Sequence, residues 1–212
     1  MKTLLGSLIL ACGLDAFAQT KPLFENNFEK AETGKLPPGF EFPVGEFAVK
    51  EEAGNKFLEL PGAPVDSYSV QFGPAGSADV AVSARVFATA KGRRSPTFGI
   101  GLNGVGGCRL QISPGKNALE LFKDQELKAT LAFEWKARTW TSLRLQVRKV
   151  KAGGWEVEGK AWTQGADEPK GWMISFDDQE EPVAGRASVL GSPFSGTPIW
   201  FDDLKVEKLE SK

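Results

Sequence analysis

The chain of 212 residues contains no histidine. That removes Ser-His-Asp and Cys-His catalysis and every His-bearing zinc site. Chemistry, if any, must come from carboxylates, hydroxyls, amides, Lys or Tyr. The carboxylates best placed to act together are Glu156 and Glu158. Two residues apart on an extended segment, they project from one face about 7 Å apart, a spacing that paired-carboxylate chemistry can use. Arg148 is their expected cross-strand neighbour, however, and a salt-paired Glu stays ionised and cannot donate a proton at neutral pH. A charged sheet surface is therefore favoured over hydrolysis. Glu120 and the run from Asp177 to Glu181 are expected to be solvated charges.

Binding chemistry is better supplied. Trp162 shares the polar row of its segment with Glu156, Glu158 and Lys160, where an indole can take the C–H face of a sugar ring. Trp172 is a second aromatic candidate, whereas Trp140 and Trp200 are expected in the core. Arg85, Arg109 and Gln111 also fall on non-core rows of their segments. If these strands are neighbours in one sheet, the six residues Arg85, Arg109, Gln111, Glu156, Glu158 and Trp162 form a carbohydrate-binding patch with no catalytic member. Gly99-Ile-Gly101-Leu-Asn-Gly104 matches a dinucleotide fingerprint in letters. A strand-like segment follows where that motif needs a helix N-terminus, so the glycines are expected at a turn and a close sheet approach. The basic Lys91–Arg94 stretch is expected to be a solvated loop.

The elements that must position these residues are strands. Period-two alternation, punctuated by Gly, Pro, Asn and Asp, recurs at 46–51, 56–60, 67–73, 79–87, 97–103, 107–113, 117–123, 127–133, 142–148, 154–163, 171–177, 184–191 and 198–208. So many short strands without an amphipathic helix predict an all-β, two-sheet antiparallel jelly-roll sandwich. One hairpin can be argued in detail. Opposed residues share a face, so Val147 must oppose Val157 or Gly159 across an odd loop containing Gly153 and Gly154, which sets Arg148 opposite Glu156 or Glu158.

With 26 Lys and Arg against 27 Asp and Glu, the net charge of −1 gives no footprint for nucleic acid. Met1-Lys2, an apolar stretch to Leu14 and Ala16-Phe17-Ala18 form an export signal, expected to span 1–18 and to leave one β-sandwich domain over 19–212. The stretch is too short to serve as a transmembrane anchor. Ile9-Leu-Ala-Cys12 resembles a lipobox and offers lipidation of Cys12 as the alternative. Removal of the signal leaves Cys108 alone, on the apolar row with Leu110 and Ile112, so a buried structural thiol and no disulfide are expected.

Several ordered motifs together resemble the concanavalin A-like lectin/glucanase superfamily, in particular the jelly-roll domains of exported bacterial proteins. They are Phe28-Glu29 followed by Gly34, Pro37 and Phe40; Gly45-Glu-Phe47; Phe57-Leu-Glu-Leu60; Cys108-Arg-Leu-Gln-Ile112; Trp140-Thr-Ser-Leu-Arg-Leu145; and Ile199-Trp-Phe-Asp-Asp-Leu-Lys-Val206. The resemblance covers most of 23–208. It implies sugar-related work at the level of the superfamily: a carbohydrate-binding or cell-envelope module is expected, with a divergent glycoside hydrolase and a structural surface protein without a small ligand as the alternatives. A monomer with a polysaccharide or cell-surface glycan as its partner is expected. The superfamily's glucanases carry E-x-D-x-x-E on one strand; no Glu here has Asp two and Glu five residues on, so catalysis is not implied. Alternation places Asp202 on the core row with Trp200, Leu204 and Val206. The resemblance then implies either a structural calcium held by Glu29 and Asp202 or an Asp202 satisfied by hydrogen bonds.

Overall fold

Alternation of apolar and polar residues becomes strand after strand, each burying one row. In the computed structural model, which describes residues 21–210 except 65, 152 and 195, these are β1 (Phe24–Asn26), β2 (Phe40–Val44), β3 (Ala48–Glu52), β4 (Asn55–Leu60), β5 (Tyr68–Gly76), β6 (Val80–Ala88), β7 (Thr97–Leu102) and β8 (Cys108–Ser113). After a single 3₁₀ turn at Pro114–Lys116 come β9 (Ala118–Lys123), β10 (Glu126–Ala132), β11 (Thr141–Lys149), β12 (Trp155–Thr163), β13 (Ile174–Asp178), β14 (Gly185–Ser192) and β15 (Ile199–Lys208). The expected signal at 1–18, with Cys12, lies outside the described residues. Among the described residues no helix is long and apolar enough to cross a membrane.

The strands form two antiparallel sheets. An eight-stranded sheet runs β13-β12-β11-β6-β15-β4-β3, with β1 also paired to β15; a seven-stranded sheet runs β10-β9-β8-β7-β14-β5-β2. Their inner rows meet in one core: Val82, Val86, Leu143, Leu145 and Val157 from the first against Val70, Phe72, Ile100, Leu110 and Leu121 from the second, all essentially unexposed. Each such side chain contributes roughly 1.5–3 kcal/mol when removed from water. Cys108, a free thiol, is buried on the same row as Leu110 and Ile112, as alternation requires.

The β11–β12 hairpin takes one of the two registers that parity allows. Val147 opposes Val157 and Arg148 opposes Glu156, and Gly153 and Gly154 both take positive φ in the connecting loop. Two segments escape the alternation argument. Strand β2 has Phe42 at φ 50° and a register shift between Glu41 and Val44, so it shows no period. Strand β15 carries a bulge: its register shifts between Asp202 and Lys205, with Asp203 at φ 48°. The bulge reverses the phase. Trp200 opposes Phe87 and Asp202 opposes Arg85 on the outer face, while Leu204 and Val206 turn inward with Ile199 and Phe201. The expectation that Trp200 and Asp202 share the core row with Leu204 is thereby corrected.

Candidate functional site

The six expected patch residues do not meet. Arg85, Glu156, Glu158 and Trp162 stand on the outer face of the eight-stranded sheet, Arg109 and Gln111 on that of the seven-stranded sheet. Alternation assigns a residue to a face but not a strand to a sheet.

The charged groups on the face of the eight-stranded sheet are mostly engaged within the chain, although Arg85 Nε and Arg148 Nε are buried without a hydrogen-bond partner. Strand register aligns Trp162, Ser142, Arg85 and Asp202 in one row. Arg85 donates from Nη2 to Asp202 Oδ2 at 2.8 Å, pairs through Nε with Asp203 Oδ2 at 2.6 Å, and lies 4.8 Å from the Trp140 ring centroid. Glu158 is buried and accepts from Gln146 Nε2 at 2.5 Å. Arg148 sits opposite Glu156 as expected, but its Nη1 donates to Glu210 O at 2.8 Å. Lys160 pairs with Glu168 at 2.8 Å, donates to Pro169 O at 2.9 Å and packs 4.7 Å from the Trp172 ring, so the β12–β13 connection closes over this strand.

At one end of this face the aromatic side chains stack on each other. Trp200 lies between Phe57 (4.2 Å, 21°) and Phe87 (4.7 Å, 15°), and its Nε1 donates to Glu59 Oε2 at 3.0 Å. Trp140 borders both Phe57 and Phe87. Neither tryptophan belongs to the inter-sheet core, which corrects the expectation for both.

The calcium expectation fails the test of donor chemistry at its two residues. Asp202 is 1% exposed, and its oxygens accept from Asn55 Nδ2 (3.1 Å), Arg85 Nη2 (2.8 Å) and the Asp203 amide (2.7 Å). Glu29 Oε1 accepts from the Lys56 amide at 3.1 Å. The Arg85 guanidinium already meets Asp202, so hydrogen bonds from within the chain, and not a cation, satisfy its carboxylate. Among the described residues no group of three or more His, Cys, Asp or Glu is placed to hold a metal. Burial, helped by the Asp203 charge, pushes Asp202 above its ordinary value despite its hydrogen bonds and Arg85.

The outer face of the seven-stranded sheet is arranged differently. Register lays Gln71, Ser188, Gly101, Arg109 and Phe122 across five adjacent strands, β5-β14-β7-β8-β9. The next row is Ser69, Leu190, Gly99, Gln111 and Glu120. Over these rows lies a cavity of about 160 Å³ that also touches Tyr68 and the 104–107 turn. Gly101 keeps its floor low: a Cβ there would fall 2.6 Å from Ser188 Oγ. Arg109 lies 4.3 Å from the Phe122 ring centroid, and its Nε is buried without a hydrogen-bond partner. Burial lowers its pKa, against the charge of Glu120. Gln111 Nε2 donates to Ser113 Oγ at 2.9 Å, and Ser113 Oγ donates to Glu120 Oε2 at 2.5 Å. Glu120, expected to be solvated, is 2% exposed. Burial pushes its carboxyl up, but hydrogen bonds from Lys116 and Ser113 and the charges of Lys116 and Arg109 bring it below its ordinary value.

No family model matches the chain, and no curated protein matches it in sequence. Solved structures do match in fold. A Bacillus subtilis protein of unknown function with a galectin-like fold superposes with TM-score 0.62 at 10% identity, covering 91% of this chain and 98% of that one. The carbohydrate-binding module CBM66 from Bacillus subtilis gives 0.57 at 10% identity, over 80% and 95%. The Ca²⁺- and mannose-bound exoplasmic/lumenal domain of VIP36 gives 0.56 at 11%, over 83% and 85%. The fold is a lectin-like jelly roll. At such identities no residue role transfers.

Sequence reasoning missed Gln71, Ser188 and Phe122. All three lie on outward rows of alternating segments, so the signal was present; what was missing was that β5, β14, β7, β8 and β9 are neighbours. It also missed an ion pair at the end of the sandwich, where Lys123 (15% exposed) meets Asp178 (11%) at 2.6 Å and Glu180 at 2.9 Å. Asp178 is thus a bridge between sheets, not the solvated charge expected. Burial pushes it up, and the hydrogen bonds from Lys123 and from the Glu180 and Gln179 amides, with the Lys123 charge, take it below its ordinary value. Cys108 beside this pair is pushed up to about 12, first by burial and then by Asp178.

Proposed function

We propose that this chain is a non-catalytic, exported carbohydrate-binding module of the concanavalin A-like lectin/glucanase superfamily, acting as a monomer, and that it holds its glycan on the outer face of the seven-stranded sheet. The observation that carries this reading is the cavity over the Gln71–Ser188–Gly101–Arg109–Phe122 row. Amides and hydroxyls both donate and accept, which is what sugar hydroxyls demand. Phe122 adds an apolar surface. Sites that enclose a drug-sized molecule measure about 300–1,000 Å³; this smaller cavity suits a polar ring laid on the sheet.

Hydrolysis is poorly served there. Glycoside hydrolysis needs two carboxyl groups flanking the bond, one of them a proton donor. The cavity lining among the described residues contains no carboxylate, and neighbouring Glu120 is held ionised by Lys116 and Ser113.

The test is a polysaccharide-binding screen of the full chain, followed by variants. Gln111→Ala and Phe122→Ala are each expected to weaken binding about tenfold, equivalent to 1.4 kcal/mol, with Trp162→Ala unchanged and no reducing sugar released. Binding lost in Trp162→Ala and retained in the other two would move the site to the opposite sheet. Intact mass beginning at Gln19 would support export by cleavage after Ala18; a diacylglyceryl mass on Cys12 would replace it with lipid anchoring.

A further inference from the structure

The charged groups on the seven-stranded sheet are paired, with one exception. Arg186 Nη2 meets Glu41 Oε1 at 2.8 Å and its Nη1 donates to Gly73 O. Lys116 meets Glu120 at 2.8 Å, Lys123 meets Asp178 at 2.6 Å, and Lys128 meets Glu126 at 2.6 Å. Arg109 has no carboxylate within ion-pair distance among the described residues. Among those residues it is also the sole charged side chain lining the cavity, half-buried, with no hydrogen-bond partner at Nε, a condition it shares with Arg85 and Arg148 on the other sheet. Removing donors of a guanidinium from water without a partner is costly.

Phe122 supports one face of the guanidinium at 4.3 Å. Its N–H donors lie in the plane of the group, a fork that matches the two oxygens of a carboxylate. A neutral sugar would engage such a fork only through single hydroxyls. The rest of the lining, with Gln71, Gln111, Ser69 and Ser188, is neutral, and the nearby carboxylate of Glu120 is already met by Lys116 and Ser113.

We infer that the glycan held at this cavity is acidic, a polymer of uronic acid residues whose ring carboxylate is received by Arg109. The inference rests on the carbohydrate-binding function proposed above and specifies its substrate class.

The test uses the full chain with polygalacturonate, alginate and hyaluronate, each beside its carboxyl-reduced counterpart, which keeps the linkage and removes the charge. Chondroitin sulfate and dextran sulfate form a sulfate arm, and a set of neutral polysaccharides completes the panel. At least one uronate polymer is expected to bind ten times or more tightly than its reduced form. Arg109→Gln should abolish that preference and Arg109→Lys should keep part of it. Equal binding of acid and reduced polymers, a preference that survives Arg109→Gln, or binding confined to dextran sulfate overturns the acidic-sugar inference while carbohydrate binding stands. Absence of binding to every polymer, acidic or neutral, overturns the proposed function itself. The comparison on the unaltered chain decides the matter even if a variant fails to fold.

Discussion

The two outer sheet faces use the same residue types to opposite ends. On the eight-stranded sheet, Arg85 donates to Asp202, forms an ion pair with Asp203 and rests by Trp140, while Trp200 is held between two phenylalanines. On the seven-stranded sheet, Arg109 also rests by an aromatic ring, but its polar side is left to the cavity. A polar row is therefore not in itself a binding site. What distinguishes the two arginines is whether a carboxylate already meets the guanidinium, because a paired group must lose its partner before gaining a ligand.

The largest effect expected from breaking this contrast is on stability. Trp200→Ala removes the middle of the Phe57–Trp200–Phe87 stack, a loss of about 3 kcal/mol, or roughly 6–12 °C in melting temperature for a domain of this size. Glycan affinity should not move. A loss of affinity with stability retained would make the stack a ligand platform and reverse the assignment of the two faces.

Next in size is the bridge between the sheets. Lys123→Met strands Asp178 in a largely buried position and should cost about 2 kcal/mol at neutral pH. The pH dependence sharpens this. Asp178 and Glu120 both titrate below their ordinary values in the folded chain, so their contribution is present above the unfolded carboxylate range and is lost as pH falls through the depressed folded values. Removing Lys123 should flatten the Asp178 part of that acid loss in denaturant titrations between neutral and low pH. An acid profile identical to that of the unaltered chain would show that Lys123 does not hold Asp178 ionised.

The parts of the molecule legible in its sequence are those governed by local alternation. The parity of the β11–β12 register, the burial of Cys108 and most strand positions follow from period two and loop parity alone. The departures share a cause. One extra residue at Asp202–Lys205 exchanged the faces of Trp200 and Leu204, and a positive φ at Phe42 concealed β2. The division of the six expected binding residues between sheets is a property of strand order, which no single segment encodes. Arg109 and Gln111 were identifiable as outward residues; their partners Gln71 and Ser188 come from strands distant in sequence and adjacent in space.

A smaller effect comes from comparing the two arginines directly. Arg85→Gln leaves the buried Asp202 and its neighbour Asp203 without their cation and should cost about 1–2 kcal/mol. Arg109→Gln removes a partly desolvated charge that no carboxylate meets within ion-pair distance among the described residues, and its stability should stay within about 0.5 kcal/mol of the parent. Matched denaturant midpoints would check the pair; equal losses would mean that Arg109 supports the fold no less than Arg85 does. Smallest of all is the expected response to chelation. With Asp202 occupied by Arg85, Asn55 and the Asp203 amide, EDTA should leave the melting temperature unchanged and added calcium should not raise it. A calcium-dependent rise would show a native-state ion and restore Glu29 and Asp202 as candidates for holding it.

The central claim is the location of the ligand. Amide hydrogen exchange of the full chain, measured with and without a polysaccharide that emerges from the binding screen, addresses it without any substitution. Protection is expected in 68–76, 97–113 and 185–192, the strands beneath the cavity, with 141–163 unchanged. Protection confined to 141–163 and 80–88 would contradict it and place the sugar on the opposite face.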